Sequence, residues 1–160
     1  MDWVFGELPL HPLLVHFTVI VVPLAALCLV LGAIWPAARR RLSLVTPLVA
    51  LAALVAVPIT TNAGEWLLER VGKTPLVERH EQLGWTMLPW SIAVFAVAVA
   101  QWAWFRFCGS ATRRARTRTT VAIVLGIAVA VVAIGSVVTV IQIGESGAAA
   151  VWTGNFNTQR

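Results

Sequence analysis

Residues 12–35 read PLLVHFTVIVVPLAALCLVLGAIW, and this stretch decides the fold class. It contains no Asp, Glu, Lys or Arg. A helix rises about 1.5 Å per residue, so roughly 20 apolar residues cross a hydrocarbon core about 30 Å thick. A cleaved signal peptide is the alternative so near the N-terminus, but residues 1–10 carry Asp2 and Glu7 and lack the basic residues with which such peptides begin. The stretch therefore predicts a transmembrane helix.

Three further apolar segments follow, at residues 42–63, 83–105 and 119–143. The whole chain is 59% hydrophobic with a mean hydropathy of +0.83, which is typical of membrane proteins. Short connections force consecutive helices to be antiparallel neighbours. We therefore expect an all-α membrane protein, a single four-transmembrane-helix up-down-up-down bundle with short outer tails. Its helices are predicted at about 12–35, 42–66, 75–107 and 119–144.

Basic residues set the predicted orientation. They are concentrated after the first and third helices, at Arg39, Arg40, Arg41, Arg106, Arg113, Arg114, Arg116 and Arg118. Loops rich in Lys and Arg stay in the cytoplasm, so we expect a multi-pass protein of the bacterial plasma membrane with both termini outside the cytoplasm. Because the basic residues separate apolar segments instead of covering one soluble face, we expect no nucleic-acid partner.

Every acidic residue and every histidine falls on the predicted outer side. The ionisable groups nearest the helix ends are His11 and His16 on the first helix, Glu65 on the second, His80 on the third and Glu145 on the fourth. An ionisable group at the bilayer centre costs about 2.5–3.5 kcal/mol on insertion scales, so such groups tend to face the bundle interior and to have a function. At the interface the cost is smaller, and helix capping, hydration or pairing with nearby arginines explains the same residues without a function.

Four sequence motifs resemble one prokaryotic family. LPLHPLLVHF at residues 8–17, TNAGE at 61–65, RHEQLG at 79–84 and GESGAAAVW at 144–152 are similar to the transmembrane domain of unknown function 2231. The resemblance assigns no activity, but it implies the company of electron-transfer modules, of the Rieske or c-type cytochrome kind. The last family motif usually reads GHSGAxxVW, and this chain has Glu145 in place of that histidine. If the family histidine binds haem axially, the exchange removes it, whereas a mixed His and carboxylate metal site tolerates it.

Two classes of function are consistent with the outer cluster. In the first, the cluster binds a cofactor for electron or proton transfer. This cofactor is either haem b, held by His16 and His80 with Gly84 allowing the ring to approach, or a Zn, Fe or Cu ion. The metal ligands would be drawn from His11, His16, Glu65, His80 and Glu145.

In the second class, the chain is a non-catalytic accessory or assembly subunit of a larger respiratory-type membrane complex. Small residues on the fourth helix, such as Gly126 and Gly135, suit close packing within the chain, with a redox partner or with a second copy. Proton-coupled transport is weaker because no charged residue lies near the predicted midplane. The sequence leaves open whether the protein is an enzyme.

Overall fold

Four long helical segments dominate the computed structural model, which describes residues 3–108 and 115–154. In chain order the elements are β1 (Val4–Phe5), β2 (Leu8–Pro9), α1 (Leu10–Ile34), α2 (Pro36–Leu42), α3 (Val45–Val71), α4 (Pro75–Trp85), α5 (Met87–Ala103), a π-helical turn (Trp104–Cys108) and α6 (Ala115–Trp152). The segments Leu10–Ile34, Val45–Val71, Pro75–Cys108 and Ala115–Trp152 are long and apolar enough to cross a membrane. The predicted all-α membrane bundle is therefore confirmed. Asp2, Arg113, Arg114 and Arg160 lie outside the described residues.

Local sequence signals explain where the third segment starts and breaks. Thr74 caps α4 by accepting a hydrogen bond from the Val77 backbone N–H at 3.3 Å, and Pro75 occupies the first turn. This is the start that the sequence predicts. The segment is interrupted at Thr86, whose hydroxyl donates to the Leu83 carbonyl at 2.6 Å. Pro89 has no N–H to donate to the Trp85 carbonyl, so the helix breaks where one of its backbone hydrogen bonds cannot form.

The helices alternate in direction and pack as a square. α1 contacts α3 and α6, and α5 contacts the same two helices, so α1 and α5 occupy one diagonal and α3 and α6 the other. We call the end where α1 and α4 begin the histidine end. The opposite end, which contains α2, the π-helical turn and the start of α6, is called the arginine end. The predicted contact between the first two long helices is present.

The bundle is built from two equivalent hairpins, α1–α3 and α4/α5–α6. Four buried residues of α1 recur on α5 with a constant spacing in the sequence: Thr18 with Met87, Val22 with Ser91, Ala25 with Val94, and Leu29 with Ala98. Five buried residues of α3 recur in the same way on α6: Thr46 with Val129, Ala50 with Ala133, Ala53 with Ser136, Ala56 with Thr139, and Ala63 with Ser146. With equivalent helices on the diagonals, the two hairpins are related by an approximate twofold axis parallel to the helices.

One contact in the second hairpin requires glycine. Any Cβ at position 135 of α6 would overlap the indole ring of Trp90 on α5, so Gly135 is what allows these two helices to approach. Gly126, also on α6, is different, because a Cβ there would meet no atom within 4 Å. The two glycines of one helix thus form a matched pair, one tightly packed and one open.

We expect Gly135→Ala to lower stability by about 1–3 kcal/mol, the usual effect of overpacking a tight contact. Gly126→Ala should be neutral or slightly stabilising, since both substitutions gain about the same helix propensity. Thermal unfolding of the two variants in the same detergent measures the difference. Equal melting temperatures would contradict the close packing of Trp90 on Gly135.

Candidate functional site

His11 lies in the first turn of α1 and reaches across to α3. Its Nδ1 is 3.0 Å from the backbone carbonyl oxygen of Thr60, and the residue is partly buried. A carbonyl oxygen only accepts hydrogen bonds, so Nδ1 must carry the proton in this contact. In the neutral ring, Nε2 is then the unprotonated nitrogen with a free lone pair.

His80 repeats this arrangement between α4 and α6. Its Nδ1 is 3.0 Å from the Ser146 hydroxyl oxygen. That hydroxyl also lies 2.8 Å from the Ile143 carbonyl, and His80 donates to the same carbonyl, which is the equivalent of the Thr60 carbonyl that accepts from His11. Nδ1 is again the protonated nitrogen, and Nε2 is again left with a lone pair.

A glycine lies beneath each imidazole ring. A Cβ at Gly64 would be 2.9 Å from Cε1 of His11, and a Cβ at Gly147 would be 2.9 Å from Cε1 of His80. Both distances are shorter than ordinary van der Waals contact, so each ring lies where only a glycine leaves room. The two histidines and the two glycines have the same spacings as the paired core positions, so they belong to the approximate twofold arrangement.

The two rings meet in one small cavity near the histidine end. Their centroids are 6.2 Å apart and their planes make an angle of 75°. The cavity has a volume of about 70 Å³, and no carboxylate is among its lining residues, which are His11, Val15, Thr18, Val19, Val57, Thr60, Thr61, His80, Gly84, Met87, Val140 and Ile143. Among the described residues, neither Nε2 has a hydrogen-bond partner. The cavity therefore places two imidazole side chains against largely apolar walls.

The other predicted ligands lie elsewhere. His16 is exposed on the bundle surface, where its Nδ1 donates to the Pro12 carbonyl at 2.6 Å. Glu65 accepts a hydrogen bond from the Trp85 indole N–H at 3.1 Å, and Glu145 is exposed. Within residues 3–108 and 115–154, no three His, Cys, Asp or Glu side chains are grouped so that they could hold one metal ion. The five predicted metal ligands are thus not brought together as a set.

The predicted haem arrangement also finds little room. Gly84 does line the cavity together with His80, but His16 does not. Pockets for cofactor-sized ligands usually enclose about 300–1,000 Å³, several times the volume between His11 and His80. As it stands, the cavity suits a single ion or a few water molecules better than a macrocycle.

Sequence reasoning assigned no site role to Thr60, Met87, Ser146 or the glycines at 64 and 147. The available signal was the repeated pattern in the two halves of the chain. In each half, a histidine at the start of one helix is followed by a glycine near the end of the next long helix. The two histidines come close because α1 and α4 begin at the same end of the bundle, and the sequence motifs do not show this arrangement.

The fold and the site define a class: a small four-span membrane protein with two equivalent histidines at one end of the bundle. The chain belongs to the family described as predicted membrane protein (DUF2231), whose model matches residues 7–160. No curated protein and no solved structure matched the chain.

We expect the side-chain nitrogen resonances of His11 and His80 to show the Nδ1–H tautomer, because both rings donate from Nδ1. Gly147→Ala should displace the His80 ring, break its bond to Ser146 and shift those resonances, while His11 changes less. Nitrogen-15 NMR of histidine-labelled protein in detergent measures both effects.

Gly144→Ala is the matched control on the same helix, since a Cβ at position 144 meets nothing within 4 Å. It should leave the His80 signals unchanged. An unperturbed His80 spectrum in Gly147→Ala would mean that the ring does not rest on that glycine.

Proposed function

We propose that this protein is a copper-binding membrane protein, whose paired histidines hold one Cu(I) ion through their Nε2 atoms. The observation that supports this is the shared arrangement: each ring lines the cavity and uses its Nδ1 in a hydrogen bond to the neighbouring helix, which leaves Nε2 as the nitrogen for a metal ion. Histidines that bind metals nearly always donate their other N–H to a carbonyl, carboxylate or water, which fixes the ring and its tautomer.

The separation of the rings is compatible with one shared ion. Metal–nitrogen bonds to histidine are about 2.0–2.1 Å long, and an imidazole nitrogen lies about 1.1 Å from its ring centroid. Two imidazoles on opposite sides of one ion would thus have centroids about 6.3 Å apart. The observed value is 6.2 Å. The ring planes are inclined at 75°, so binding of one ion requires the rings to turn until both Nε2 atoms face it.

Met87 favours copper over zinc. It is buried in the first turn of α5 and lines the same cavity as the two histidines. Its thioether is a soft ligand that suits Cu(I), whereas Zn²⁺ in proteins is usually held by four ligands drawn from Cys, His and carboxylates. Two imidazoles and one thioether form a neutral, low-coordinate set.

The surroundings favour holding and transferring the ion over hydrolytic catalysis. A hydrolytic metal site needs a metal-bound water and usually a general base. No carboxylate lines this cavity, and Val and Thr are the most frequent residues in its walls. We infer a role in handing Cu(I) to a partner at the membrane surface, for instance a redox protein.

The test is Cu(I) binding to detergent-purified protein under anaerobic, reducing conditions, in competition with a coloured Cu(I) chelator. We expect one Cu(I) per chain, with loss of binding in His11→Ala and in His80→Ala. Met87→Leu preserves volume and should weaken binding at least tenfold, because it removes only the soft ligand. Size-exclusion chromatography of each variant establishes that the bundle is intact.

His16→Ala is the matched control, since it removes a histidine one turn away that does not line the cavity. It should bind Cu(I) as the unaltered protein does. Equal losses in all three histidine variants, or no Cu(I) binding at all, would overturn the proposal. The latter result would favour the accessory-subunit alternative, as would undiminished Cu(I) binding by His11→Ala and His80→Ala.

We further propose that the histidine end faces outward. The described basic residues at the opposite end, including Arg39, Arg40 and Arg41, support this orientation through the preference of Lys and Arg for the cytoplasm. Copper would then be bound at the outer surface of a bacterial plasma membrane.

In a background of Cys28→Ala and Cys108→Ser, a cysteine at Glu69 should react with a membrane-impermeant maleimide in intact cells. A cysteine at Arg40 should react only after permeabilisation. Both positions are exposed at opposite ends of the bundle, so accessibility within the protein does not bias the comparison. The reverse labelling pattern would overturn the orientation without affecting the copper proposal.

A further inference from the structure

A second, larger cavity opens at the arginine end, between α1, α2, α3, α5 and the π-helical turn. Its volume is about 330 Å³, and its walls include three arginines, Arg39, Arg40 and Arg106, together with the hydroxyl-bearing Ser43. The sequence contains no Asp or Glu between residues 8 and 64 or between 82 and 144. No Asp or Glu side chain among the described residues therefore neutralises these guanidinium groups.

Arg39 is held in place by the end of α1. Its Nε donates to the Gly32 carbonyl at 2.6 Å and its Nη2 to the Ala33 carbonyl at 2.8 Å, which satisfies carbonyls that the helix itself leaves free. Its guanidinium carbon lies 3.7 Å from the ring centroid of Phe105. Burial lowers the pKa of Arg39 from its ordinary value, but the group still carries its charge near neutral pH. The remaining nitrogen, Nη1, has no hydrogen-bond partner among the described residues.

An apolar cavity of about 280 Å³ adjoins the arginine-lined one, between α1, α5 and α6. Its walls are mainly aliphatic, as at Val30 and Leu125, and it shares Arg39, Gln101 and Phe105 with its neighbour. The arginine-lined cavity and the apolar cavity are therefore neighbours that share these three residues. A molecule that combines an anionic head with a hydrocarbon chain would match both.

We propose that the arginine end binds a phosphate-bearing amphiphile, an anionic phospholipid with its headgroup phosphate against the three arginines and one acyl chain in the apolar cavity. Guanidinium groups pair with phosphate oxygens through parallel, charge-assisted hydrogen bonds. Basic pockets between transmembrane helices recognise anionic lipid headgroups in this way. The proposal does not depend on the copper site.

General positive charge is the competing explanation, because arginines at this end also serve to orient the chain. Arg116 and Arg118 allow the two explanations to be separated. They are exposed at the start of α6, at the same end of the bundle, and they line neither cavity. Removing them takes away the same two charges as removing Arg40 and Arg106.

The experiment uses the full chain in a zwitterionic detergent and titrates it with a short-chain phosphatidylglycerol, a short-chain phosphatidylcholine or inorganic phosphate. Binding is followed by thermal shift and by native mass spectrometry. Phosphatidylglycerol should raise the melting temperature and remain bound at one molecule per chain, while phosphatidylcholine should do neither. Arg40→Gln with Arg106→Gln should weaken binding at least tenfold, and Arg116→Gln with Arg118→Gln less than twofold.

Gly126→Leu tests the apolar cavity. Gly126 lines this space, and a Cβ there meets nothing within 4 Å, so the leucine fills the cavity without clashing at the backbone. It should weaken phosphatidylglycerol binding and leave any binding of inorganic phosphate unchanged. Equal losses in the two double-arginine variants, or equal binding of both lipids, would overturn the proposal. Inorganic phosphate binding as tightly as the lipid would overturn the lipid assignment and identify a site for the free anion.

Discussion

Close approach of helices through small side chains is the constraint on which this structure depends. Inside a bilayer, apolar side chains gain little by leaving lipid for protein, so helices associate through tight packing and hydrogen bonds. Here small residues such as Ala25, Ala50, Ala98 and Ser136 are among the least exposed, and they lie on the buried faces beside Val and Leu side chains such as Leu29. The same closeness lets an imidazole on one helix reach the backbone of the next. Without glycine under each ring, neither histidine would fit between its helices.

Polar groups in the core follow from the same packing. Thr18 and Thr60 share a hydrogen bond of 2.8 Å between α1 and α3, and the Thr60 hydroxyl also lies 2.8 Å from the Ala56 carbonyl. In the described residues, no fully buried side-chain nitrogen or oxygen lacks a partner. A hydroxyl in a low-dielectric interior is stable only under that condition. The unpartnered Nε2 atoms stand out because they border a cavity in a bundle that otherwise satisfies its polar groups.

The sequence predicts the fold well because length and hydropathy act over whole segments. Roughly 20 apolar residues define a crossing whatever their order, and Thr74 with Pro75 marks a helix start by local chemistry alone. The site was harder to predict, because it depends on which face of each helix points inward. A shift of a few residues along a helix turns a side chain from lipid to core. His16 lies five residues further into the first apolar segment than His11, yet it is exposed, while His11 lies against Thr60. Met87 lies two turns after His80 on the same helical face, but it carries no ionisable group and was not predicted as a ligand.

The approximate twofold axis has an evolutionary consequence. Two copies of a single helical hairpin, paired face to face as a symmetric dimer, would place the same histidine of each copy on either side of the axis. Duplication and fusion of such a hairpin would give the present chain order and would free the two halves to diverge. Divergence is visible at the cavity, where Met87 occupies the position equivalent to Thr18 and Ser146 the position equivalent to Ala63. The soft thioether next to the paired imidazoles is then an acquisition of one half alone, which a strictly symmetric ancestor would have carried twice or not at all.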